Sequence, residues 1–157
     1  MHVRPIEPSD EASYRAILET TSAEDRYCRF FHRVDHFDPE EVHRFVETRS
    51  DMIGMIAHDD TVPLGAAHAA LLDDESAELA IVVSPDARHL GVGAALLDAL
   101  IERLRQRGFR RIFACALREN HPFERLAKRA GFHVEQAEGA TFRWVLALQP
   151  GKDAVAR

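Results

Sequence analysis

At 157 residues, 46% of them hydrophobic, the chain can bury one core without disulfide staples, and its length calls for no second domain. Its formal charge of -6, with 26 acidic and 20 basic residues interspersed, argues against a nucleic-acid binder, which gathers Lys and Arg into one footprint, and weakly favours a cationic substrate. Cys28 and Cys115 match no CxxC or zinc spacing, the N-terminus has no apolar signal region and no run of 18 apolar residues occurs, so the expected setting is a reducing cytoplasm without membrane span or metal.

Residues 3–6 (VRPI) read as an opening strand that Pro8 closes. Ser9 and Asp10 offer N-cap oxygens to a helix carrying Tyr14, Ile17 and Leu18 at helical spacing. A second helix is expected from Ser22, where Asp25 completes a capping-box pattern and Tyr27, Phe30 and Phe31 supply an apolar face. In FDPEEV a third helix starts: Asp38 caps, Pro39 takes the first helical position, Glu41 sits where a box acid belongs, and Phe37 staples onto Val42.

The period then changes. Runs 52–57, 64–72 and 77–83 are β-capable and are separated by HDDTVP and DDES, links that suit an antiparallel meander. A helix over 92–107 aligns Val92, Leu96, Leu97, Leu100, Ile101 and Leu104 on one face and stops at Gly108. Residues 111–117 form a strand, Pro122 opens a helix that turns Phe123, Leu126, Ala127 and Ala130 inward and ends at Gly131, and 132–135 and 141–148 are two final strands. The order implies an α/β (α+β) fold, a mixed central sheet of six to seven strands with helices on both faces, in one domain over 1–149 with a frayed tail at 150–157.

The stretch VVSPDARHLGVGAALLDAL, residues 82–100, places two glycines between a strand and a helix. A helix N-terminus presents unpaired amides and partial positive charge, and glycines let a phosphate approach the main chain. A tight turn explains the same glycines without a ligand. Ala94 and Ala95 stand where a Walker loop needs GKS or GKT, and Leu96 stands where a dinucleotide fingerprint needs Gly or Ala, so both nucleotide motifs fail.

Arg88, Gly91 and Gly93 fit the Q/R-x-x-G-x-G/A signature, and Asn120 is followed eleven residues later by Gly131-Phe132. Through these two motifs the chain resembles the GNAT superfamily of acetyl-CoA-dependent N-acetyltransferases. The resemblance implies a GNAT fold in which backbone groups around Arg88, His89, Leu90, Gly91, Val92, Gly93 and Ala94 hold the coenzyme A diphosphate, while Asn120 and Phe123 flank the pantetheine arm. SAEDRYCRFFH (22–32) and PEEVHRF (39–45) are similar to the entry of the acetyltransferase domain of bacterial protein lysine acetyltransferases. That likeness points to a protein lysine as acceptor, with a small amine as the alternative; it implies no nucleic acid, membrane or metal, and it allows a homodimer. A noncatalytic acyl-CoA sensor is the reading from a different class.

The chemistry adds its own demands. A lysine of pKa about 10.4 costs roughly 4 to 5 kcal/mol to deprotonate at pH 7, whereas expelling a thiolate of reference pKa about 8.5 costs only roughly 2 kcal/mol. A base therefore matters more than an acid. Glu78, in AELAIVV, alternates with Leu79, Ile81 and Val83 and shares a face with Ala80 and Val82 on the strand leading into the glycine loop. Pattern alone leaves it either a base, acting directly or through water, or an ordinary solvent-facing glutamate; the resemblance assigns a catalytic glutamate to the matching place. The tyrosine that many relatives carry seven residues after the motif asparagine is here Ala127, and the oxyanion donor is expected from backbone NH groups near Val82 and Val83. His32 and His36 read as surface histidines, Arg26, Arg29 and Arg33 as a solvated helix face, and Cys115 as a small core residue rather than a nucleophile.

Overall fold

The computed structural model describes residues 1–21 and 38–149. The helix expected from Ser22, with Tyr27, Cys28, Phe30 and Phe31, lies outside them, as do Phe37, the histidines and arginines between, and the tail. The described chain forms one seven-stranded sheet in the order β1-β2-β3-β4-β5-β7-β6. The strands are β1 (His2–Pro5), β2 (Met52–Asp59), β3 (Val62–Leu71), β4 (Ser76–Val83), β5 (Arg111–Leu117), β6 (His133–Glu138) and β7 (Thr141–Ala147). The helices are α1 (Glu11–Glu19), α2 (Pro39–Val46), α3 (Val92–Gln106) and α4 (His121–Ala130).

β2 to β4 form the expected antiparallel meander, β1 pairs antiparallel with β2, β4 and β5 are parallel, and β7 returns between β5 and β6. On one face α3 and α4 bury Leu96, Leu97, Leu100, Leu104 and Ala127 against Leu79, Ile112, Ala114 and Trp144. On the other, α1 and α2 bury Tyr14, Ile17, Leu18, Val42 and Val46 against Ile56, Ala66 and Val82. The buried His68 ring of β3 donates from Nε2 to the Phe45 carbonyl oxygen at 2.8 Å, which fastens α2 to the sheet. β3 and β4 approach so closely that a Cβ at Gly65 would meet the Val82 carbonyl oxygen at 2.7 Å.

Most helix ends follow the sequence rules. Asp38 accepts from the Glu40 amide at 3.0 Å with Pro39 behind it, the Asn120 side chain accepts from the Phe123 amide at 3.2 Å, and Gly131 closes α4 at φ +96°. Two expectations need correction. The final hairpin's first strand is His133–Glu138, an edge strand exposed throughout, and Phe132 is buried just ahead of it. Asp10 does not cap α1 with its side chain: its carboxylate, 4% exposed, receives Arg4 Nη1 and Nη2 at 2.7 and 2.6 Å and, at 2.7 Å, the Glu7 amide, closing the capping box of a short 3-10 turn (Pro8–Asp10) that leads into α1.

Burial by itself would raise the Asp10 pKa, but the Arg4 and Glu7 hydrogen bonds outweigh it and hold the carboxyl below its usual range. Because the folded-state value is the lower one, this contribution is complete above the unfolded value near 3.9 and fades as pH falls through the folded value. Asp10→Ala is therefore expected to lower the unfolding free energy by about 2 kcal/mol at pH 7. In urea titrations the gap from wild type should narrow as the pH drops below about 4.

Candidate active site

β4 and β5 pair only where Ser76, Ala77 and Glu78 meet Arg111, Ile112 and Phe113. Beyond Glu78 each strand stays with its outer neighbour, β4 with β3 as far as Val83 and β5 with β7 as far as Leu117, so a gap opens between them. Since the two strands are parallel, the gap widens toward the end where α3 and α4 begin. The Ser84 amide donates to the Leu64 carbonyl at 2.8 Å on the β3 side. By the alternation of an unbroken antiparallel register, Val82 also turns its amide to β3, while Ile81 and Val83 turn theirs into the gap. Of the two donors expected from sequence, Val83 fits and Val82 is already spent; Ile81, not singled out, takes its place.

At the mouth of the gap the backbone bends through positive φ at His89 (64°) and Gly91 (79°) before α3 starts. A Cβ at Gly91 would meet nothing within 4 Å, so conformation rather than crowding calls for glycine there. No side chain caps α3, its first turn holds no acid, and the amides of Val92, Gly93 and Ala94 have no partner within the helix. The side chains of Arg88, His89 and Leu90 are exposed around this opening. Val92 is 1% exposed and so can offer only its backbone. Asn120, at the start of α4, spends its carbonyl oxygen on the helix cap. Phe123 is buried with its ring edge-on to Trp144 at 6.3 Å, forming wall rather than lining. Arg129, in the last turn of α4, bridges on the surface to Asp98 of α3 at 2.9 Å.

Glu78 lies where the pairing ends. Leu79 packs in the α3 cluster and Val82 in the α1 cluster, so Glu78 points to the α1 and α2 face, as the alternation implied. There it lines a cavity of about 320 Å³ with Leu72, Phe113, Cys115 and Arg143, and the final hairpin adds Gln136, Glu138 and Thr141. The carboxylate is half-buried and has no hydrogen bond or ion pair among the described residues. Cys115 corrects the expectation of a core residue: it is half-exposed to this cavity. Burial, and after it the charge of Glu78, push its thiol pKa up, so it stays protonated near neutrality. Sequence reasoning also missed Arg143 and the hairpin residues, because β7 enters between β5 and β6 and no local signal announces that. Among the described residues no His, Cys, Asp and Glu cluster could hold a metal, and no helix is long and apolar enough to cross a membrane.

The chain is similar in sequence or fold to several known proteins. The acetyltransferase PA5475 of Pseudomonas aeruginosa is 24% identical over 136 residues, 83% of this chain and 73% of that protein. The GNAT domain of PAT from S. lividans is 26% identical, with a TM-score of 0.84 over 93% of this chain and 89% of that one. A phosphinothricin acetyltransferase of Sinorhizobium meliloti, solved with AcCoA, shares the fold at 21% identity and a TM-score of 0.77, over 99% and 92% of the two chains. The model of the acetyltransferase (GNAT) family matches residues 12–132, and with the split sheet and the open helix mouth in place the chain belongs to that family.

Proposed function

We propose that this member of the family is a cytoplasmic enzyme that moves the acetyl group of acetyl-CoA onto lysine side chains of proteins. The observation that carries the reading is Glu78, a half-buried carboxylate with no partner among the described residues, opening into a cavity where the sheet splits. The residues fit the donor. First-turn amides of α3, with no acid beside them, suit a diphosphate, and the gap edge of β4 suits an extended arm that ends in a thioester. When bound, acetyl-CoA supplies an activated acyl group. An amide of Ile81 or Val83 polarises the acyl carbonyl, and Glu78 takes the proton that the amine must lose. Three residues of strand, about 10 Å at ~3.3 Å per residue, separate Glu78 from Ile81, so the proton passes through water rather than by direct contact. The exposed loop residues Arg88, His89 and Leu90 flank the diphosphate, and the free amide nitrogen of Asn120 faces the pantetheine arm. Ala127 is buried in the core and supplies no acid, which the low cost of expelling a thiolate tolerates.

Two substitutions test the two halves of the site. Glu78→Gln should lower turnover by about 100-fold while the dissociation constant for acetyl-CoA, measured by calorimetry, stays as in wild type. Ala94→Asp places a carboxylate in the first turn of α3, where it favours the helix by about 0.3 to 1 kcal/mol. Its melting temperature should hold or rise while acetyl-CoA binding weakens by at least about tenfold through repulsion at the diphosphate. Incubation with labelled acetyl-CoA and a cell lysate should label protein lysines. Labelling of small amines alone would move the acceptor to that class, and tight binding without thiol release would leave a noncatalytic sensor.

A further inference from the structure

The acceptor cavity holds a cation that the chemistry above does not use. Arg143 of β7 stands directly opposite Cys115 of β5, and its guanidinium carbon lies 4.1 Å from the centroid of the Phe113 ring. Stacking on a ring holds the planar group in place without consuming an N–H donor. Its one ion pair among the described residues is long, Nε to Glu135 Oε2 at 3.7 Å, between side chains 42% and 45% exposed, where solvent screens the attraction. A guanidinium carries five donors in a fork that matches a carboxylate, and here no hydrogen bond among the described residues occupies them.

Its distance from the base is informative. Arg143 and Glu78 share one face of the sheet, two strands apart and two residues offset. Strand spacings of about 4.8 Å and rises of about 3.3 Å put their Cα atoms about 12 Å apart. A lysine reaching inward to Glu78 leaves its own backbone, and the side chain next to it, at the Arg143 end. Glu138, the cavity's second carboxylate, pairs with neither, and with Glu78 it gives an ammonium group an acidic surrounding.

We propose that Arg143 is a specificity residue that binds a carboxylate of the acceptor, so that the preferred target is a lysine flanked by Asp or Glu. This rests on the protein-lysine reading. The test uses peptides that differ only in the residues beside a central lysine, acidic, alanine or arginine, with acetyl-CoA saturating. Wild type should favour acidic over arginine flanks by about tenfold in kcat/KM, chiefly through KM. Arg143→Gln should flatten the ranking, Arg143→Lys should keep part of it, and Arg143→Glu should turn it toward basic flanks. The ratio between flanks is the readout, because a damaged fold lowers every peptide together and inverts nothing. A wild-type enzyme indifferent to flanks, or an Arg143→Glu variant with the wild-type ranking, overturns the proposal. If no peptide is acetylated but small amines are, the protein-lysine reading fails, and amino acids compared with their amides decide the role of Arg143. A carboxylate preference that Arg143→Gln abolishes upholds it, and no preference ends it.

Discussion

The parallel pairing of β4 and β5 lasts three residue pairs, and the site depends on where it stops. Each of these strands holds its outer neighbour over seven pairs, so neither can follow the other as the sheet twists. The separation leaves main-chain donors and acceptors of Ile81 and Val83 facing a gap. Backbone polar groups tolerate burial only when paired, so such a gap must stay open to water or receive a chain-like ligand with amide groups of its own. The same parallel arrangement sets α3 and α4 at the wide end, where the start of α3 has neither a side-chain cap nor an acid in its first turn.

The two faces of the sheet divide the remaining work. α3 and α4 cover one face from β2 to β7, building the larger core. On the other face the cluster under α1 and α2 draws its sheet residues from β2, β3 and β4, and among the described residues none comes from β5, β6 or β7. Among the described residues, the other half of this face carries Phe113, Cys115, Arg143 and the hairpin residues around Glu78.

The described helices, the meander and the glycine loop were legible from the sequence because each rests on local physics: a repeat of 3.6 or 2, a cap, a glycine at positive φ. Glu78 was legible for the same reason, since alternation with Leu79 and Ile81 fixes its face. What sequence could not supply is lateral neighbourhood. Cys115 reads as core in a strand that is otherwise buried, and only the entry of β7 beside β5 reveals that its side of the strand opens to solvent. Asp10 reads as a cap because its type and position suit one; Arg4, six residues earlier, captures it with two charged hydrogen bonds that a lone amide cannot match. The Val82 amide was misplaced because hydrogen-bond parity depends on register with β3, which the strand itself does not encode.

If the cavity is where the acetyl group moves, as proposed, the thiol of Cys115 invites a side reaction, since a thiolate would compete with the amine for the acyl group. Burial, and after it the negative charge of Glu78, raise the Cys115 pKa and so lower its share of thiolate. On the proposed mechanism the same carboxylate takes the proton that the amine loses, so Glu78 bears on both groups of the cavity, and for the thiol its charge adds to the effect of burial.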